Sequence, residues 1–149
     1  MKFKKFKIEN YKRIHPSGSL GISMLQVKDI MHKGNKMPLV KENSKMKSSI
    51  IEMSRKSFGV VGVENNKGKL TGIITDGDLR RNIKKNFLEF SAKEMMTPKP
   101  KLIGENELMS NALKVMNKSK ITCLFEVRNK TKTKPIGIIH IHDCLRFVN

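Results

Sequence analysis

Two short polar segments contain the residues whose types and spacing are suited to binding a small anionic molecule. They are residues 75–78 (TDGD) and 140–143 (HIHD), and each follows a run rich in β-branched residues. Free backbone N–H groups at the start of a helix favour a phosphate, and a threonine hydroxyl adds a donor. A carboxylate one turn further on can accept hydrogen bonds from both hydroxyls of a ribose. The first segment therefore predicts a nucleotide site, with Thr75 at the phosphate and Asp78 at the ribose.

The same spacing also has a purely structural interpretation, because Thr75, Asp76 and Asp78 are residues that cap a helix. In the second segment Asp143 retains the carboxylate, while His140 replaces the hydroxyl with an imidazole ring. The spacing of the two histidines of that segment is compatible with a metal. A stable site generally needs three or four ligands and no third is evident, so no metal is predicted.

The two segments belong to an internal duplication. Residues 70–81 (LTGIITDGDLRR) return as residues 135–146 (PIGIIHIHDCLR), so that Gly72 corresponds to Gly137 at an offset of 65. Residues 29–31 (DIM) correspond to residues 94–96 (EMM) at the same offset of 65. The residues between these two matched segments of each copy, such as Met46 and Met109, correspond at an offset of 63. An internal repeat of this length indicates two copies of one structural unit, with insertions and deletions confined to loops.

Each copy predicts the order β-α-β-β-α, with helices covering one face of a small sheet, which is an α+β fold. Ser44 or Asn43 is the predicted cap of the first long helix, and Leu79 and Ile83 are the predicted inner face of the next. Three predicted helices cover residues 45–57, 76–86 and 107–118, and a last helix is predicted after residue 142. The predicted strands cover residues 60–64, 69–75, 96–103, 121–127 and 135–140.

Size and composition limit the function classes. Units of about 60 residues are marginally stable alone, so the two copies are expected to share buried faces. The net charge of +18 raises the possibility of a nucleic-acid partner, but Lys and Arg are scattered and aromatics make up only 5%. This distribution argues against nucleic-acid binding. Cys123 and Cys144 have no metal or redox spacing, and no signal peptide or membrane span is predicted, so a cytoplasmic protein with reduced thiols is expected.

Residues 1–26 do not resemble a domain, because Pro16, Gly18 and Gly21 interrupt any regular element. This segment is predicted to be a linker, or a remnant of a domain that precedes the duplicated units. Its His15 is the one candidate for a catalytic residue, although a lone histidine in a loop is more often solvated or hydrogen bonded. The predicted domains are residues 27–90 and 91–149.

The DIM motif and the GIITDGDL motif, in a duplicated β-α-β-β-α unit, resemble a tandem pair of cystathionine β-synthase (CBS) domains, the Bateman module, over residues 27–148. The resemblance implies that the two units pack as a pseudo-two-fold pair. It also implies that the hydroxyl and the aspartate of each motif contact phosphate and ribose, which assigns Thr75 and Asp78 in one copy and His140 and Asp143 in the other.

A closer resemblance, to the C-terminal part of arabinose-5-phosphate isomerases of the KpsF/GutQ type, rests on residues 15–21 (HPSGSLG), VKDIMH, IEMSRK, TDGDLRR and HIHDCLR. In that family an HPGG-x-LG segment closes a sugar isomerase (SIS) domain, and its histidine falls on His15. Ser17 replaces a glycine of that segment, and Ile22 and Ser23 replace basic residues. The sequence contains no counterpart of the SIS domain itself.

These arguments predict a regulatory module that senses an adenine or cytidine nucleotide or a nucleotide-sugar, and that is either detached from an arabinose-5-phosphate isomerase catalytic domain or partners one. The module is predicted to form a homodimer through apolar helix faces. A separate SIS-domain isomerase chain is a candidate partner, and no metal or other cofactor is expected. Two other hypotheses are an isomerase to which His15 contributes in another subunit, and a basic nucleic-acid-binding protein. The predicted ligand-binding residues are Val60, Val61, Thr75, Asp76, Asp78, His140, His142 and Asp143.

Overall fold

The structure is a computed structural model that describes residues 19–83, 86–129 and 132–148. Its helices are α1 (Ser19–Ser23), α2 (Val27–Ile30), α3 (Met46–Lys56), α4 (Asp76–Arg81), α5 (Ala92–Met95), α6 (Met109–Ser119) and α7 (Ile141–Leu145), with 3-10 turns at Gly34–Lys36 and Phe87–Glu89. Its strands are β1 (Leu39–Lys41), β2 (Val60–Glu64), β3 (Leu70–Thr75), β4 (Thr97–Pro98), β5 (Leu102–Gly104), β6 (Cys123–Asn129) and β7 (Lys132–His140).

The strands form two small sheets, with the orders β1-β2-β3-β4 and β5-β6-β7. In each sheet a short strand lies parallel to the first strand of an antiparallel hairpin, and Leu39 faces Gly62 as Leu102 faces Phe125. The register is therefore the same in both copies at the offset of 63. The order β1-α3-β2-β3-α4 recurs as β5-α6-β6-β7-α7, which confirms the predicted α+β fold with two β-α-β-β-α units.

The long helix of the first unit follows its hydrophobic pattern but not its predicted cap. Met46 and Met53 are buried at helical spacing, and Ser57 ends the helix with a left-handed φ of 64°. The predicted cap was wrong: Lys45 precedes the first turn without a side-chain cap. The Ser44 hydroxyl accepts instead from the Lys41 N–H at 3.2 Å, because the chain is still turning out of β1 at that point.

The segments that precede the two units, residues 25–32 and 90–97, cross to the opposite unit, and we call them the lead-in segments. Val27 and Met31 are buried in a cluster with helix α6 and Leu124 of the second unit. Ala92 and Met95 are buried with α3 and β2 of the first unit. A third cluster combines side chains of both sheets: Val60, Leu70, Phe125 and Ile138. Separating the units would expose apolar residues of all three clusters, which explains how two small units share one core.

Each crossing depends on a glycine of the repeat. A Cβ atom at Gly72 would collide with the Met96 side chain, and one at Gly137 would collide with Met31. Both glycines are in the middle of a hairpin strand, and both methionines end the motif that precedes the opposite unit. The duplicated Gly and Met positions are therefore the two sides of one packing contact.

Gly21 was predicted to interrupt any regular element, but it lies inside α1. Two further predicted elements are different in the structure. Helix α4 ends at Arg81, and Ile83 is 68% exposed, so Ile83 does not belong to an inner helix face; Leu79 alone packs against the core. The predicted strand over residues 96–103 is divided into β4 and β5, with Lys99 between them at a left-handed φ of 53°. The division lets β4 pair with the first sheet while β5 begins the second. None of the described helices is long and apolar enough to cross a membrane.

Candidate functional site

The TDGD segment forms a capping box at the junction of β3 and α4. The Thr75 Oγ1 atom accepts from the Asp78 N–H at 3.1 Å, and Asp78 Oδ2 accepts from the Thr75 N–H at 2.9 Å. The reciprocal bonds satisfy backbone donors that the first turn of a helix would otherwise leave without partners. Because the hydroxyl is used as an acceptor, its hydrogen remains available for donation to a ligand.

The carboxylate of Asp78 is buried and has several donors. Arg81 Nη2 donates to Oδ1 at 2.7 Å, and the Thr97 hydroxyl lies 3.3 Å from the same oxygen. Only 6% of the residue is exposed. Asp78 therefore joins the cap of α4 to the lead-in segment that crosses from the second unit. A ribose would have to compete with these donors, so the structural interpretation of TDGD accounts for the position of this carboxylate.

The second unit builds the same cap with an imidazole. The His140 Nδ1 atom accepts from the His142 N–H at 3.1 Å, and Asp143 Oδ2 accepts from the His140 N–H at 2.9 Å. Since Nδ1 is an acceptor, the neutral ring carries its hydrogen on Nε2 and can donate there. His140 thus matches Thr75 in both respects, as an acceptor for the helix and as a donor for a ligand.

Asp143 also receives a bond from the opposite lead-in segment, since His32 Nε2 lies 3.0 Å from its Oδ2 atom. Arg146 Nη2 donates to Oδ1 at 2.7 Å. Burial alone would raise the pKa of Asp143, but the hydrogen bonds from His32, the His140 N–H and Arg146 outweigh it and lower the pKa. The sequence interpretation missed both His32 and Thr97. The signal was present, because the two residues are 65 apart and each directly follows the duplicated DIM-type motif.

Four rings form a row beside this cap. The His32 ring meets Phe58 edge-on at 5.2 Å between centroids, Phe58 lies 6.5 Å from His140, and His140 stacks on His142 at 4.8 Å. Burial is the main cause that lowers the pKa of His140, and the neighbouring His142 acts in the same direction. His140 is therefore neutral at pH 7, as its role as a helix cap requires.

The two capped segments meet at a single cleft of about 420 Å³. Thr75, Asp76 and Arg80 come from the first unit, His140 comes from the second, and Phe58 and Val60 add apolar surface. The cleft thus combines two neutral donors, one cation, one exposed carboxylate and apolar side chains. This set suits a ligand with an anionic group, hydroxyls and a flat ring.

The structure brings together only some of the predicted site residues. Thr75, Asp76, Val60 and His140 line the cleft, whereas Asp78 and Asp143 are buried within the caps. Val61 is fully buried in the core of the first unit, and His142 is exposed on α7, stacked against His140. His15 lies outside the described residues. Within the described part of the chain, no three potential metal ligands lie close enough to hold an ion.

Both cysteines are free thiols held in the protonated state. Cys144 is buried and Cys123 is partly buried beside the cleft, where its Sγ atom donates to the Phe58 carbonyl at 3.3 Å. Burial raises the pKa of each thiol to about 12. A thiol that stays protonated is a poor nucleophile, so Cys123 contributes surface and not reactivity to the cleft.

The sequence model of the CBS domain matches residues 27–85 and again residues 92–149. The chain belongs to the CBS domain family. Its relatives include the arabinose 5-phosphate isomerase KdsD of Pseudomonas aeruginosa, 35% identical over 144 residues, which are 95% of this chain and 44% of that protein. A protein of Rickettsia prowazekii, RP505, is 38% identical over 140 residues, which are 94% of this chain and 43% of the relative. This CBS pair therefore spans less than half the length of both relatives.

Solved structures of CBS pairs have the same fold. CBSX2, determined in complex with AMP, superposes with a TM-score of 0.70 at 21% identity, covering 83% of this chain and 96% of that chain. The CBS domain of a bacterial CNNM/CorC family Mg²⁺ transporter, determined in complex with ATP, gives a TM-score of 0.73 at 16% identity and covers 94% of this chain and 96% of that chain. At these identities the likeness is one of fold.

Proposed function

We propose that this CBS pair is a regulatory module that binds an adenine or cytidine nucleotide, or a nucleotide-sugar, in the cleft between its two units. The observation that carries the proposal is the convergence of Thr75 and His140 on that cleft, each with its acceptor atom used by a helix cap and one hydrogen left to donate. The nucleotide complexes of CBSX2 and of the CNNM/CorC CBS domain support the ligand class.

The residues of the cleft have distinct roles in this proposal. The Thr75 hydroxyl and the His140 Nε2–H donate to the phosphate, and Arg80 adds a positive charge nearby. Phe58 and Val60 contact the base. Asp76, which is exposed in the cleft, accepts from the ribose hydroxyls, whereas Asp78 and Asp143 position the helix starts. This differs from the role that the family resemblance implies for Asp78, and the two assignments are separable by mutation.

The test is a thermal-shift and calorimetry series with AMP, ADP, ATP, CMP and a CMP-sugar. A ligand at 100 times its dissociation constant stabilises the folded chain by about 2.7 kcal/mol. We expect at least one nucleotide to raise the melting temperature, and Thr75→Val to abolish the rise while the unliganded chain stays folded. Absence of a shift with every compound would overturn the proposal.

We further propose that the module regulates a sugar-phosphate isomerase domain and does not isomerise arabinose 5-phosphate itself. The chain covers 44% of the Pseudomonas isomerase, and the two CBS matches of this chain span residues 27–85 and 92–149. Proton abstraction next to a carbonyl needs a positioned base and an enclosed pocket, whereas the one carboxylate that lines the described cleft, that of Asp76, is exposed to solvent. Turnover of arabinose 5-phosphate by the pure chain that is lost in His15→Ala would contradict this assignment.

A homodimer is the third part of the proposal. Ile51 on α3, Ile83 and Leu145 are 52%, 68% and 38% exposed, so apolar surface remains after the two units have packed. Burial of such side chains against a second copy would remove them from water. Light scattering at micromolar concentration should give twice the chain mass, and charge substitutions at Ile51 and Ile83 should return it to the monomer.

A further inference from the structure

We propose that a second pocket beside the cleft holds the anionic groups of a ligand beyond its first phosphate, so that this chain prefers nucleoside di- and triphosphates to monophosphates. The inference rests on the proposed nucleotide function and specifies its ligand. The second pocket measures about 430 Å³ and is lined by His32, Asn35, Lys36, Arg55, Lys56 and Phe58. We call it the basic pocket.

The basic pocket carries an excess of positive charge. Lys36 comes from the 3-10 turn Gly34–Lys36, and Arg55 and Lys56 come from the last turn of α3. Among the described residues one carboxylate balances them, since Glu52 lies 3.8 Å from both Arg55 Nη1 and Lys56 Nζ. Three cations and one carboxylate leave two positive charges facing the same space. Phosphate oxygens are the groups that such a site attracts.

The structural needs of helix α3 explain only part of this charge. Cations in the last turn stabilise the partial negative charge of a helix C-terminus, which accounts for Arg55 and Lys56. Lys56 Nζ also donates to the Asn35 carbonyl and so ties the 3-10 turn to the helix. Lys36 is the last residue of that 3-10 turn and lines the basic pocket, and no carboxylate of the described residues is within ion-pair distance of it. Ligand binding gives a reason for this third cation.

Phe58 connects the basic pocket to the cleft, because it lines both. Its ring lies between the His32 ring, at 5.2 Å, and the His140 ring, at 6.5 Å. A phosphate held by the His140 Nε2–H lies on the cleft side of Phe58. In this proposal the second and third phosphates lie beyond the edge of the Phe58 ring, near His32 and Lys36. The first phosphate therefore meets two neutral donors and one cation, Arg80, whereas the later phosphates meet the three cations of the basic pocket.

The experiment is calorimetry on the full chain with AMP, ADP and ATP, and with the cytidine series, at fixed ionic strength. We expect ATP or CTP to bind at least about tenfold more tightly than the corresponding monophosphate, a factor equivalent to 1.4 kcal/mol. The Lys36→Glu/Arg55→Glu variant should lose this preference and keep its affinity for the monophosphate. High salt should reduce the preference in the unaltered chain.

A charge-matched control is necessary because the whole chain carries a charge of +18 and attracts any polyanion. The Lys47→Glu/Lys114→Glu variant changes two exposed lysines on α3 and α6 outside the pocket and should retain the preference. Equal affinities for mono- and triphosphate in the unaltered chain, or an equal loss in the control, would overturn the inference and leave the proposed function standing. Absence of binding by every nucleotide would overturn both.

Discussion

His32 and Asp143 are 111 residues apart in the chain, yet the His32 Nε2 atom lies 3.0 Å from Asp143 Oδ2. In the other unit the Thr97 hydroxyl, 65 residues after His32, lies 3.3 Å from Asp78 Oδ1. Each contact joins the lead-in segment of one copy to the capped helix of the other. The carboxylates that cap α4 and α7 therefore also help to hold the two units together.

We expect His32→Ala to lower the free energy of unfolding by about 1–2 kcal/mol, the scale for one hydrogen bond to a charged group at a partly exposed site. Thr97→Val should cost less, because its bonds to Asp78 are longer, at 3.3 and 3.4 Å. Urea denaturation of both variants at pH 7 measures the difference. A cost that is larger for Thr97→Val would contradict the ranking.

The same contact predicts a dependence on acid. The pKa of Asp143 is lowered in the folded chain, so its ionised form contributes stability that is present above the ordinary pKa of aspartate, about 3.9, and is lost as the pH falls through the folded value. His32→Ala removes one of the bonds that lower this pKa. As the pH is lowered from about 5, the free energy of unfolding should therefore fall less in the variant than in the unaltered chain. Urea denaturation of both chains at a series of acidic pH values measures the difference.

His140 predicts a separate transition nearer neutrality. Its pKa is lowered by burial and by His142, while Asp143 opposes the shift and His32 adds to it. The unfolded chain then binds a proton more readily, so this contribution to stability is complete above about pH 6.5 and is lost as the pH falls through the folded pKa. His140→Thr restores the residue of the first unit and should remove this dependence. NMR titration of the His140 ring gives the pKa directly, and a value above 6.5 would contradict the prediction.

The packing of glycine against methionine predicts a cost for an added methyl group. Gly72→Ala and Gly137→Ala should each destabilise the chain by about 1–3 kcal/mol, the usual cost of overpacking a core. Gly104 is the matched control, because a Cβ there would meet its nearest neighbour at 3.7 Å, an ordinary contact. Thermal denaturation of the three variants checks the order. In the double variant Gly72→Ala/Met96→Ala the two losses of stability should be less than additive, because Met96→Ala removes the side chain with which the new methyl group would collide.

The sequence predicted the parts of this fold that depend on local patterns. The short apolar run of residues 60–64, the β-branched residues within residues 69–75 and the spacing of Thr75 and Asp78 are readable within one turn or one strand. The crossing of the lead-in segments was not, because the bridge between His32 and Ile138 depends on packing across the whole chain. For the same reason the sequence assigned Thr75 and His140 to separate copies of the repeat, whereas the structure places both at one cleft.

The last prediction separates the two carboxylates of the TDGD segment. Asp76 is exposed in the cleft, and the carboxylate of Asp78 already accepts from the Thr75 N–H, Arg81 and Thr97. Asp76→Ala should therefore weaken nucleotide binding by about 1.5–3 kcal/mol, the scale for hydrogen bonds to a charged group, and leave the stability of the chain nearly unchanged.

Asp78→Asn should behave in the opposite way. It preserves the shape of the side chain but removes the charge that Arg81 contacts, so it should cost about 1–2 kcal/mol of stability and reduce binding only as far as it displaces Thr75. Calorimetry and urea denaturation on the same two variants provide both quantities. A fully stable Asp78→Asn chain with a large loss of affinity would restore Asp78 as the ribose acceptor, because only direct contact with the ligand lowers affinity without lowering stability.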